Sequence, residues 1–123
     1  MKMLEGDFAN NLFERYSSVV IGPGLGTSDE ARELVCKIIR FYAGPLVVDA
    51  DAINVLNHET DKELIAGRKA PILFTPHSGE FSRFLGITKE EARVNPLDRL
   101  KELVEDLGCS VLLIRSYFRL MTL

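Results

Sequence analysis

The chain has 123 residues, is 46% hydrophobic and 27% charged, and carries 15 Lys and Arg against 18 Asp and Glu, a formal net charge of −3. That length holds one domain with one core, the composition is that of a globular chain and excludes wholesale disorder, and the mild acidity without a basic stripe gives nucleic-acid binding no support. No apolar run approaches the roughly 18 residues of a membrane span, and the opening Met1–Asp7 is not followed by the apolar stretch of a signal peptide. The expectation is a cytoplasmic domain with no membrane contact. Cys36 and Cys109 have no metal-ligand spacing and read as small buried hydrophobes in a reducing compartment.

The first predicted strand is Ser18–Ile21, ended by Gly22-Pro23. Thr27-Ser28-Asp29-Glu30 then predicts a capping box, with Thr27 as the cap. The helix that follows places Ala31, Leu34, Val35, Ile38, Ile39 and Tyr42 on one stripe, and Gly44-Pro45 ends it. The second strand, Leu46–Val48, leads through Asp49 into a short helical segment at Ala50–Leu56. Thr60 and Glu63 suggest another box, starting a brief helix with Leu64 and Ile65 as its apolar face. The third strand, Ile72–Phe74, ends at Thr75-Pro76-His77, before a short helix holding Phe81, Phe84 and Leu85. Thr88 and Glu91 form a third box. Asn95 precedes Pro96 at the first turn of a helix whose apolar face is Leu97, Leu100, Leu103, Val104 and Leu107. Gly108 stops that helix and Val111–Ile114 is the fourth strand.

These strands are continuous apolar runs that do not alternate, the pattern of a mostly parallel sheet covered by helices on both faces. The expected fold is α/β, a single partial domain over residues 1–123. Little precedes the first strand, and only Arg115–Leu123 follows the fourth, so the sequence looks like the middle of something larger. An uncovered last strand predicts self-association or a partner chain.

In open parallel sheets, ligands gather beyond the carboxyl ends of the strands. Here those ends are Gly22-Pro23-Gly24-Leu25-Gly26, Asp49-Ala50-Asp51 and Thr75-Pro76-His77-Ser78-Gly79-Glu80. The first departs from the dinucleotide fingerprint because Thr27 stands where the third glycine belongs, and no Gly-Lys-Ser/Thr follows for a Walker A loop. It reads equally as a tight strand–helix turn. Asp49 and Asp51 can each cap a helix, or as a pair address hydroxyls or Mg²⁺. A lone histidine such as His77 is usually structural or exposed, and three polar ends on one sheet edge strengthen the functional reading.

The ordered triplet Val19–Gly26, Val47–Asn54 and Thr75–Phe81 resembles the NAD(P)H-hydrate dehydratase family, a branch of the ribokinase-like fold, over about residues 17–114. The resemblance implies a lyase acting on hydrated NADH or NADPH with ADP or ATP, and with Mg²⁺ as a candidate cofactor. It implies that Gly22, Gly24 and Gly26 form the loop against which the hydrated dinucleotide lies, and that His77 touches the same substrate. Asp49, Asp51 and Asn54 would line the cleft floor. The reaction implied is phosphorylation of the ring hydroxyl followed by phosphate loss, which replaces a poor leaving group with a good one.

The family continues after the fourth strand with a Lys-Gly segment at the nucleotide and a Gly-Ser-Gly-Asp loop bearing the catalytic aspartate. This sequence has Arg115-Ser116 at the first position, so Arg115 is the candidate nucleotide contact, and it lacks the second. The catalytic residue is therefore unassigned, and no turnover is expected of the chain alone. The alternatives are a catalytically inactive nucleotide-binding remnant, a related small-molecule kinase of the same fold, and an ordinary nucleotide-binding α/β domain with Asp49 as ribose acceptor.

Overall fold

The computed structural model describes residues 17–114 and, for the backbone alone, 118–121. Four short strands run parallel in the order of the sequence: β1 (Val19–Ile21), β2 (Leu46–Val48), β3 (Ile72–Phe74) and β4 (Ser110–Ile114). A fifth, β5 (Phe118–Met121), pairs antiparallel with β4, with Val111 opposite Met121 and Ile114 opposite Phe118. Ile21, Val48, Phe74 and Val111 align across the parallel strands, so the three loops proposed from sequence leave the sheet side by side. The apolar strand left uncovered in the sequence reading is thus an interior strand, paired on both sides.

The helices are α1 (Asp29–Phe41), α2 (Asp51–Asn54), α3 (His58–Ala66), α4 (Ser78–Leu85), α5 (Lys89–Arg93) and α6 (Pro96–Leu107). Parallel strands in sequential order, joined by right-handed crossovers, put every connecting helix on one face of the sheet. Burial agrees: Ile21, Leu46, Val48, Ile72, Phe74, Val111 and Leu113 pack into a single core with Val35, Ile39, Ile65, Phe81, Leu100 and Leu107 from the helices. The alternate strand residues Val47, Leu73 and Leu112 are only half-buried, and Val20 is 63% exposed. Cover on both faces, expected from the unbroken apolar runs, is therefore absent among the described residues. An apolar run cannot report which of its two faces is occupied, because both carry the same residue types.

Helix starts differ from the sequence reading by small steps with clear causes. Ser28, one residue after Thr27, caps α1 by accepting from the Ala31 N–H. Asn57 rather than Thr60 caps α3, its side chain accepting from the Thr60 N–H. The Thr88–Glu91 box at α5 is present in both directions. Asn95 occupies the cap position of α6 but makes no side-chain cap bond, because its backbone is left-handed (φ 50°). Leu97 is 46% exposed, outside the buried stripe of Leu100, Leu103, Val104 and Leu107. Of the cysteines, Cys109 is buried and Cys36 only half-buried.

Helix α1 ends at Phe41, before Gly44-Pro45, and its end is held by a residue no local signal announces. The Arg68 guanidinium donates to the carbonyls of Ile39 and Tyr42, each at 2.8 Å, and to that of Gly44. A cation at the negative end of a helix satisfies its last carbonyls and its dipole together.

Candidate functional site

The glycine loop begins directly at the end of β1. Gly22 has φ 137° and is packed against β2's continuation so closely that an added β-carbon would lie 1.6 Å from the Asp49 carbonyl oxygen. Gly24 (φ 73°) and Gly26 (φ 81°) are different: nothing lies within 4 Å of a β-carbon on either. The loop is a tight turn closed by the Leu25 N–H on the Gly22 carbonyl at 3.0 Å. Its outer surface is open and free of side chains at the two later glycines.

Asp49 and Asp51 bracket Ala50, whose backbone is strained at φ 48°, ψ −124°. That kink sends the two carboxylates to different neighbours. Asp49 Oδ1 accepts from the Thr75 hydroxyl at 2.8 Å, joining the second strand end to the third. Asp51 Oδ2 accepts from the Gly26 N–H at 2.9 Å, joining the second to the first. Asp51 Oδ1 accepts from the Asn54 amide at 3.2 Å, and Asn54 Oδ1 accepts from Arg83 Nε at 3.1 Å. Asp49, Asp51 and Asn54 thus fasten the loops to one another. Among the described residues no group of three or more His, Cys, Asp or Glu is placed to hold a metal ion.

His77 caps α4. Its Nδ1 accepts from the backbone N–H of Gly79 at 3.1 Å and of Glu80 at 3.3 Å, while Glu80 Oε1 accepts from the His77 N–H. Nε2 lies 3.1 Å from Glu80 Oε2. This is a capping box with an imidazole nitrogen in place of the usual hydroxyl oxygen. Because Nδ1 is an acceptor, the neutral ring carries its proton on Nε2. The side chain is still 57% exposed, so one face of the ring remains free to meet a ligand. His-x-x-Glu was legible as a box in the sequence had histidine been admitted as a cap.

Gly22, Gly24, Gly26, Asp49, Asp51, Asn54 and His77 therefore share one edge of the sheet. Arg115 lies outside the described residues. Sequence reasoning placed Thr75 at the third strand end without its bond to Asp49, and missed Arg83, the side chain that holds Asn54. It also missed a groove of about 560 Å³ along α1 and α3, lined by Arg32, Cys36, Arg40, Asp61, Leu64 and Arg68 among others. There Arg32 grips the buried Asp61 through two bonds of 2.7 and 2.9 Å. Burial alone would raise the Asp61 carboxyl, but the Arg32 guanidinium and the Asn57 N–H outweigh it and hold it below its ordinary value.

The family model described as NAD(P)H-hydrate dehydratase matches residues 1–120. The bifunctional NAD(P)H-hydrate repair enzyme Nnr of Thermofilum pendens is 40% identical over 95 residues, 77% of this chain and 18% of that protein. The enzyme of the same name from Mycobacterium tuberculosis is 40% identical over 99 residues, 80% of this chain and 20% of its own. The chain thus spans about a fifth of the length of these curated relatives. Among solved structures, the ADP/ATP-dependent NAD(P)H-hydrate dehydratase of Bacillus subtilis, co-crystallised with ATP and Mg²⁺, superposes with a TM-score of 0.71 at 24% identity. That match covers 87% of this chain and 36% of the other. SMU.573 of Streptococcus mutans does so at 0.67 and 22%, covering 99% and 43%. These likenesses establish a partial ribokinase-like α/β fold.

Proposed function

The chain belongs to the NAD(P)H-hydrate dehydratase family, and we propose on that basis that its three linked strand ends bind hydrated NADH or NADPH. The observation that carries this reading is the Gly26–Asp51 bond, which sets the open surface of the glycine loop beside the loop of Asp49 and Asp51. Gly24 and Gly26 leave a face without side chains, on which a flat ring or a diphosphate can approach the backbone closely. His77, capped in place but exposed, supplies a rigid contact from the third strand end. The surrounding reaction is ADP- or ATP-dependent dehydration of the hydrated dinucleotide, a nicotinamide nucleotide repair step with lyase chemistry. Arg115 is kept as the proposed nucleotide contact. No step is assigned to Mg²⁺, for which these residues supply no donor cluster of their own.

A second reading, a binding domain without turnover, is favoured by one feature. Asp49 is bonded to Thr75, and Asp51 to Gly26 and Asn54, so their carboxylates already serve the scaffold and neither is poised as a base. The cytoplasm is the proposed compartment; among the described residues no helix is long and apolar enough to cross a membrane. The open sheet face, with Val20 63% and Ile114 37% exposed, supports the proposal of self-association or a partner chain.

Titration with hydrated NADPH tests the binding proposal. Gly24→Asn keeps a residue tolerant of left-handed backbone and adds a side chain in open space, so it should weaken binding by about tenfold without unfolding the domain. His77→Ser keeps an acceptor for the cap and removes the imidazole. Equal heats for the parent and both variants would reduce the loop to a turn. Loss of hydrated NADH, followed by absorbance with ADP and then ATP, separates the enzyme from the binder.

A further inference from the structure

The strand-end hydrogen bonds form a directed chain that begins outside the three loops. Arg83 sits on α4, exposed, three residues past Glu80 of the capping box. Its Nε is a donor only, so it selects the oxygen of the Asn54 amide, at 3.1 Å. With its oxygen turned to Arg83, Asn54 presents its NH₂ to Asp51 Oδ1, at 3.2 Å. Asp51, an acceptor at both oxygens, then takes the Gly26 N–H on Oδ2, at 2.9 Å. Each link fixes the sense of the next, from a cation on α4 to a backbone amide 57 positions earlier in the chain.

We propose that Arg83 is a positioning residue, which through Asn54 and Asp51 sets the conformation of the glycine loop at Gly26. The polarity of the chain matters as much as its continuity. Without a donor at Arg83, only the Asp51 carboxylate is left to favour the observed orientation of the Asn54 amide. In the flipped state an amide oxygen would face the Asp51 carboxylate, and two acceptors repel. Asp51 would turn away and release the Gly26 N–H. The guanidinium is thus the orienting group for a loop it does not touch. The consequence for binding rests on the dinucleotide reading above; the consequence for the loop does not.

The experiment uses Arg83→Ala, Arg83→Lys, Asn54→Ala and the Arg83→Ala/Asn54→Ala pair. The first readout is the chemical shift and hydrogen-exchange rate of the Gly26 backbone amide. The second is affinity for hydrated NADPH. Arg83→Ala should move the Gly26 resonance and speed its exchange by about threefold or more, as expected for loss of one modest hydrogen bond. Arg83→Lys, which keeps a donor of similar reach, should restore much of the parent shift. The double variant should be no worse than Asn54→Ala, because both cut one chain. A Gly26 amide unmoved by Arg83→Ala overturns the proposal, and so does weakened binding with that amide unmoved, since Arg83 would then touch the ligand directly. If the amide responds as stated while no form of the protein binds hydrated NADPH, the relay stands and the dinucleotide reading fails.

Discussion

The carbonyl oxygen of Asp49 lies where a β-carbon on Gly22 would have to be, 1.6 Å from its ideal position. The obstacle is backbone, and the Asp49 N–H is itself bonded to the Ile21 carbonyl at 3.0 Å, so the carbonyl cannot move without opening the β1–β2 pairing. Gly22→Ala should therefore cost about 3 kcal/mol or more, at the severe end of single substitutions, and urea unfolding measures it. Gly24→Ala meets no atom and should lose only about 1 kcal/mol, from its left-handed backbone. Similar losses for the two would contradict the packing described here.

Ala50 holds φ 48°, ψ −124°, a conformation that glycine adopts freely and alanine does not. Ala50→Gly should relieve that strain, with a net gain of roughly 1 kcal/mol after the added freedom of the unfolded chain is counted. A thermal melt raised by a few degrees is the expected result. A lower midpoint would mean that the strain is illusory.

The Asp61 carboxyl is held below its ordinary value in the folded protein, despite burial, by Arg32 and the Asn57 N–H. A carboxyl depressed by folding adds stability that is fully present above its unfolded value of about 3.9 and is lost as pH falls through the folded value. Asp61→Asn should cost about 2 kcal/mol at pH 7. The gap between the two proteins should narrow steadily below about pH 5, and denaturant titrations across that range read it directly.

Burial pushes the Cys109 thiol up to about 12, so it is almost wholly protonated at neutral pH. Burial also raises the Cys36 thiol, which Arg32 partly offsets. Thiolate is the reactive form. A disulfide reagent at pH 8 should label Cys36 slowly and Cys109 only after denaturant is added. Fast labelling of both in the native protein would contradict the placement of Cys109.

Strand positions were legible because short β-branched runs bounded by glycine, proline and aspartate have few other uses, and β2 and β3 fall where the runs do. Helix starts were readable only where one cap was available. Thr27 and Ser28 are adjacent candidates of the same chemistry, and it is Ser28 that has extended backbone and accepts from the Ala31 N–H. The three strand ends fall side by side as expected, because parallel strands in sequence order must bring their ends together. What they bond to was not readable. The links from Asp51 to Gly26 and from Asp49 to Thr75 span 25 and 26 residues, and no local pattern encodes the direction in which a carboxylate turns.

Each parallel strand pairs with the one made just before it, and this order has a consequence for synthesis. The bonds that define the strand-end site all close within residues 22–83. They can therefore form on the emerging chain before β4 has left the ribosome, with no wait for a distant partner strand. The last parallel strand then adds a single clasp to the third loop, the Ile114 N–H on the Pro76 carbonyl at 2.8 Å. Once Arg83 has cleared the exit tunnel, a stalled nascent chain would carry every residue of the loop cluster outside the ribosome.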